Sequence, residues 1–367
     1  MLGDLQRELN LPADAIGAIT SSVQLGFIAG TLVFAALNVA DRFAPARVFL
    51  ACALLAALAN ALVIATPALD HPYGAILALR FAVGFFLAGI YPVGMRIAAG
   101  WYREGLGAAL GYLVGALVLG TAFPHLLKGL GHAMPWGTVL AALSVVAVAG
   151  GIAIAMFVPD GPHAKRGAPF DPRAFITIFS SRDLRASAFG YFGHMWELYT
   201  FWAFVPLLLV AHASRHGEVY NVPAWAFAII AAGALGCIGG GLVSRLKGSA
   251  PVAFWQLAAS GTCCLALPFA IHWPAPAFLA YLVAWGIFVV GDSPQFSALT
   301  AGNAPRERVG SALTLVNCIG FAITIPSIAM VAALANRLPA DWWFLPVAIG
   351  PLFGLFAMRR LLRKSPA

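Results

Sequence analysis

Charge is what this 367-residue sequence has least of. Asp, Glu, Lys and Arg make up 10% of it, against about a quarter in an ordinary soluble domain. A water-soluble globular fold is therefore excluded, and a hydrophobic share of 61% points to an α-helical membrane protein. Short segments of alternating polarity are also missing, which excludes a transmembrane β-barrel. The start, MLGDLQRELN, is polar and acidic and has no small-residue cleavage site, so it is not a secretory signal. No G-x-x-x-x-G-K-[ST] loop occurs, which disfavours ATP-driven pumping. The five cysteines, Cys52, Cys237, Cys263, Cys264 and Cys318, are odd in number and all fall in apolar segments. They read as small buried residues, with neither disulfide nor metal-ligand spacing. No cofactor is expected.

What is there is a series of long apolar runs. Eleven spans are expected, at roughly 15–40, 46–66, 74–101, 105–127, 135–157, 184–211, 222–246, 251–271, 276–303, 307–335 and 342–362. Each is near or above the roughly 20 residues a tilted helix needs to cross a bilayer. The connections are short except for 158–183, a polar, proline-rich, basic linker that divides the spans into five and six. The expected domains are therefore 1–157, equivalent to helices two to six, and 184–367, equivalent to helices seven to twelve.

The net charge of +8 reads as topology and not as nucleic-acid binding. With the linker placed inside, 17 of the 22 Lys and Arg residues fall on cytoplasmic faces. Only Arg7, Lys128, Arg215 and Arg337 fall outside, and Arg80 lies within a span. The positive-inside rule then puts the carboxyl terminus in the cytoplasm. A multi-pass protein of the plasma (inner) membrane, monomeric, is expected.

The two parts repeat each other. Pro92, Gly100, Gly107 and Leu110 recur as Pro294, Gly302, Gly310 and Leu313, at offsets of 202, 202, 203 and 203. Arg103-Glu104 recurs as Arg306-Glu307, and Arg42 as Arg245, both at 203. Parallel copies of one helical bundle are a transporter architecture.

These residues resemble the major facilitator superfamily. NVADRFAPAR is similar to that family's G-x-L-A-D-R-x-G-R-K/R signature, with Asp41 and Arg42 matching and Leu37, Ala44, Pro45 and Ala46 departing from it. The second copy, GGLVSRLKG, keeps Gly240 and Arg245 but has Ser244 for the acid. LALRFAVGFFLAGIYPVGMR resembles the fourth-helix pattern through Arg80 and Gly84. The antiporter pattern of the fifth helix is not matched, since GALVLGTAFP has Leu119 and Gly120 where its second Gly and Pro belong. That speaks against drug–proton antiport. The resemblance implies an all-α two-half bundle working by alternating access, with Asp41, Arg42 and Arg245 at a cytoplasmic gate. The alternative for Asp41 and Arg42 is topology-determining charge. Mapped by the 203-residue offset, the partner of helix seven would lie before Met1, so the first helix of the fold is expected to be missing from this chain.

Arg80, Glu197 and Asp292 are the ionised residues clearly within spans. By the family's count they fall on helices four, seven and ten, which line its cavity. Charge at membrane depth is expensive and marks functional candidates. Glu197 sits in GYFGHMWELYTFWAFVPLLL three residues after His194, and Phe201 continues the same stripe. The Glu is either a proton or transport site or a hydrogen-bonded lock between helices. His194 is either its relay partner or a satisfied core histidine. Asp292 lies in GDSPQFS, where Pro294 frees a carbonyl and Gln295 adds polar atoms, either as an ion or substrate site or as a capped kink. Arg80 either binds an anion or forms a structural ion pair. Gly107, Gly111 and Gly115 predict close helix packing. The Tyr and Trp residues near the outer end of 190–209 read as interfacial anchors.

The expected function is secondary active transport of a small solute, possibly anionic and coupled to protons. Two alternatives are a transport-fold sensor that binds without moving its ligand and an integral-membrane enzyme built on His194 and Glu197. The expected partners are a small-molecule substrate, protons and the lipid bilayer, and no nucleic acid.

Overall fold

The computed structural model describes residues 2–12, 15–37, 39, 43–102, 104–130, 135–163, 180–305 and 309–363. Among them, eleven helical segments are long and apolar enough to cross a membrane, from Ala15–Phe34 to Ala340–Leu362. They match the eleven runs expected from the sequence, and no strand occurs among the described residues.

Contacts group the chain into two units. The first comprises Met1–Arg103, Gly131–Pro172 and Asn317–Ala322. It holds α1 (Leu2–Glu8), α2 (Ala15–Ala36), α3 (Pro45–Leu62), α4 (Pro72–Leu87), α5 (Tyr91–Trp101) and α7 (Trp136–Phe157). Gly26, Gly30 and Gly84 let α2 and α4 cross closely: a Cβ on Gly26 would strike the Phe81 carbonyl, and one on Gly84 the Val23 carbonyl. Close backbone approach through small residues is how helices associate when lipid gives no hydrophobic drive. Leu5, Ile19, Val63, Ile76, Trp136 and Leu140 form one core cluster of this unit, and the Trp136 indole donates to Glu8 at 2.7 Å.

The second unit comprises Glu104–Leu130, Arg173–Val316 and Ile323–Ala367. It holds α6 (Leu106–Leu130), α8 (Arg182–His216), α9 (Val222–Lys247), α10 (Ser249–Ala270), α11 (Ala275–Gly291), α12 (Ser293–Asn303), most of α13 (Val309–Ala335) and α14 (Ile349–Leu362). The glycine stripe of α6 does what its spacing predicts. A Cβ on Gly111 would come 2.6 Å from the Cys237 carbonyl oxygen of α9, and one on Gly115 would sit 3.3 Å from Ile238.

α8 is the most deeply buried span. The Ser181 side chain accepts from Leu184 N at its start, and Gly217 closes it in the left-handed region at φ 67°. Its 35 residues make a rod of about 50 Å, longer than the hydrocarbon core. Tyr191, Phe192, Trp202 and Phe204 are buried in protein. Of the Tyr and Trp residues read as interfacial anchors near its outer end, Trp202 is thus enclosed by protein, while Trp196 and Tyr199 are half-buried. α8 is packed by α9, α11, α12 and α14.

The sequence repeat has a structural counterpart. α4 ends at Leu87 and α5 restarts at Tyr91 with Pro92 in its first turn. α11 ends at Gly291 and α12 restarts at Ser293 with Pro294 in its first turn. A proline cannot supply the N–H for the carbonyl four residues back, so each span is interrupted there.

Candidate functional site

Glu197 is 1% exposed. Its carboxylate accepts three hydrogen bonds from two neighbouring helices. Trp285 Nε1 of α11 donates to Oε1 at 2.7 Å. Cys264 Sγ of α10 donates to Oε1 at 3.3 Å, and Ser260 Oγ of α10 donates to Oε2 at 2.9 Å. Bonds to a charged acceptor are worth about 1.5–3 kcal/mol each, which makes this cradle fit for a carboxylate. No Lys or Arg pairs with Glu197 among the described residues. Phe201, one turn along, packs on Trp285 at a tilt of 36° with ring centroids 4.6 Å apart. Phe344 meets the same indole edge-on at 5.1 Å. The indole is thus clamped and its N–H fixed on Glu197.

His194 does not join this cradle. Its Nδ1 lies 2.8 Å from Asp292 Oδ1, both side chains being essentially inaccessible. The pair meets the distance of a hydrogen bond but not its geometry. The reason is helical. Three residues turn a helix by about 300°, leaving His194 and Glu197 about 60° apart on α8. One therefore faces α12 and the other faces α10 and α11.

The carbonyl freed by Pro294 is that of Val290, and Cys237 Sγ of α9 donates to it at 3.4 Å. It is consequently not left open for an ion. Open polar atoms are found instead on the side chains. His194 Nε2, Asp292 Oδ2 and Gln295 Oε1 are buried without a hydrogen-bond partner among the described residues. Gln295 Nε2 reaches the Gly107 carbonyl of α6 at 3.5 Å. His194, Asp292 and Gln295 thus form a second polar cluster around the α11–α12 break.

In the first unit, Arg80 Nη1 of α4 donates to Asn60 Oδ1 of α3 at 2.8 Å. Asn60 Nδ2 donates in turn to the Leu140 carbonyl and to Ser144 Oγ of α7, each at 3.0 Å. Arg80 Nε is buried without an acceptor. No carboxylate pairs with Arg80 among the described residues, so the structural ion pair considered from sequence is not found there. Asn60 was missed in the sequence, although a buried amide in an otherwise apolar span is the same kind of signal as a charge. Trp285, Ser260 and Cys264 were missed because a Trp, Ser or Cys in an apolar run carries no such signal.

Arg245 lies in the last turn of α9, its Nε 3.7 Å from where a Cβ on Gly105 would stand. Asp41 and Arg42, the other two gate candidates, lie outside the described residues.

Known structures share this fold. The E. coli fucose:proton symporter FucP aligns with a TM-score of 0.67 at 15% identity, over 95% of this chain and 91% of that one. The human organic anion transporter MFSD10 (TETRAN) aligns with a TM-score of 0.70 at 16% identity, over 96% and 87%. No curated protein matches by sequence. The family model of the major facilitator superfamily matches residues 1–329. The chain belongs to the major facilitator superfamily, a family of membrane transporters.

Proposed function

We propose that the chain is a secondary active transporter of a small anionic solute, coupled to protons. It works by alternating access between the halves 1–157 and 184–367, which the linker 158–183 joins. The observation that carries this reading is the state of its intramembrane charges. Arg80 is held by a neutral amide at 2.8 Å, and Glu197 by three neutral donors. Neither has an opposite fixed charge among the described residues. A buried charge without a partner is costly, and a mobile ion of opposite sign removes the cost. For Arg80 that ion is an anionic solute, met by the planar fork of the guanidinium. For Glu197 it is a proton. His194 and Asp292 form a second proton-accepting pair, and Gln295 Oε1 offers an acceptor beside it.

FucP is a fucose:proton symporter and MFSD10 an organic anion transporter. At their low identity they support the fold, while the proposed chemistry rests on the charges of this chain. The charge distribution supports a cytoplasmic carboxyl terminus in the plasma (inner) membrane, the family resemblance supports a gate there of Asp41, Arg42 and Arg245, and the chain is taken as a monomer.

The test is counterflow into proteoliposomes with a panel of labelled small carboxylates and phosphates. A substrate should be found, and Arg80→Lys should weaken its binding although the charge is kept. If Arg80→Lys and Arg80→Ala both handle it like the parent, Arg80 is not the anion site. A ligand that binds without counterflow would make the protein a sensor.

A further inference from the structure

The two oxygens of Glu197 are not equivalent. Oε1 faces Trp285 Nε1 and Cys264 Sγ, at 2.7 and 3.3 Å. An indole N–H is donor only. Trp285 is fully buried, with Phe201, Phe344 and Tyr281 around its ring at 4.6, 5.1 and 5.6 Å. It cannot be turned away without repacking the core, so Oε1 must remain an acceptor. Oε2 faces Ser260 Oγ at 2.9 Å. A hydroxyl has one hydrogen and two lone pairs, and Ser260 has a second acceptor in reach, the Leu257 carbonyl of its own helix at 3.1 Å. Its hydrogen can serve Glu197 or Leu257, but not both.

We propose that Ser260 is a two-position hydrogen-bond switch that places the proton of Glu197 on Oε2 and passes the change to the backbone of α10. With Glu197 ionised, Ser260 O–H donates to Oε2. When the carboxylate takes a proton, a new O–H forms on Oε2 and donates to Ser260 Oγ. The Ser260 hydrogen then rotates onto the Leu257 carbonyl. Trp285 stays on Oε1, now the carbonyl oxygen. No buried donor or acceptor of this set is orphaned in either state, and no heavy atom of the four residues has to move. Ser260 is a positioning residue here. The inference rests on the reading of Glu197 as a proton site.

The experiment is infrared difference spectroscopy of the full chain in lipid, titrated with pH and needing no substrate. The Glu197 carboxylic C=O band is identified as the one that Glu197→Gln removes. Trp285→Phe strips the donor from the carbonyl oxygen and should shift the band strongly to higher wavenumber. Ser260→Ala strips the acceptor of the acid O–H and should shift it upward by less, while Ser260→Thr, which keeps the hydroxyl, should leave it in place. A Ser260→Ala band at the parent position, or a larger shift for Ser260→Ala than for Trp285→Phe, overturns the switch. If Ser260→Ala does not fold, Trp285→Phe decides alone: an unshifted band puts the proton on Oε1 and overturns the assignment. If no titrating band is lost in Glu197→Gln, the proton role of Glu197 itself fails, a result distinct from failure of the switch.

Discussion

Asn60→Asp is the substitution that addresses the Arg80 reading most closely. Asn60 Oδ1 already stands 2.8 Å from Arg80 Nη1, in a site where Asn60 is 8% exposed. Replacing the amide by an isosteric carboxylate supplies the counter-charge that Arg80 lacks. An anionic solute must then compete with a built-in anion for the same guanidinium. A hydrogen bond to a charged group is worth about 1.5–3 kcal/mol. At roughly 1.4 kcal/mol per tenfold in affinity, anion binding should weaken by about 10- to 150-fold. The variant also loses the Nδ2 donor to Leu140 and Ser144, so folding must be checked apart from affinity. Asn60→Leu is the paired control. It leaves Arg80 charged, lowers the stability of the empty protein by about 1.5–3 kcal/mol, and should keep anion binding. The assay is the ligand-induced shift of the melting temperature, using the tightest-binding member of the carboxylate and phosphate panel. If a well-folded Asn60→Asp protein binds that anion as the parent does, the uncompensated charge on Arg80 is not what recruits it.

Other outcomes follow from the packing and from the polar clusters around Arg215 and Tyr220. Gly111→Val forces side-chain atoms against the Cys237 carbonyl and should cost at least about 1–3 kcal/mol, read as lost monodisperse protein; a parent-like yield and melting temperature would contradict the close α6–α9 crossing. Arg215 holds Asp341 through two bonds of 2.9 and 2.6 Å, with His272 Nε2 on the same carboxylate at 2.8 Å. Arg215 is 30% exposed, so Asp341→Asn should cost only about 1 kcal/mol, and less in high salt. Burial, with Glu218 nearby, pushes the Tyr220 phenol up, so it stays protonated and donates to His212 Nδ1 at 2.8 Å while His212 Nε2 faces the Trp273 carbonyl at 2.9 Å. Tyr220→Phe should therefore lower stability by about 1 kcal/mol at neutral pH, and an unchanged melting temperature would remove that bond from the account.

Much of the fold was legible because bilayer thickness and the cost of buried charge act directly on sequence. The run lengths gave the spans, and Pro92 and Pro294 marked the two interruptions from their shared offset. Gly107, Gly111 and Gly115 announced a helix crossing because only their spacing matters. The partners of the charges were not legible in the same way. Which helix faces Glu197 depends on the rotation of α8, and three residues of spacing were enough to send His194 to Asp292 instead. Cys237 and Cys264 read as small apolar residues, yet both act as thiol donors, to Val290 and to Glu197. Their sequence surroundings are as apolar as those of Cys52, so nothing local distinguishes them.

The most direct measurement of the central claim is proton movement driven by solute. Proteoliposomes carrying an internal pH indicator are given an inward gradient of the transported anion, with the membrane potential clamped. The account predicts a change of internal pH with the parent protein, acidification for symport and alkalinisation for antiport. With Glu197→Gln, which cannot release a proton, it predicts no pH change and no uphill accumulation, while exchange of labelled for unlabelled solute continues. A solute-driven pH change and uphill accumulation at the parent rate in Glu197→Gln would contradict it.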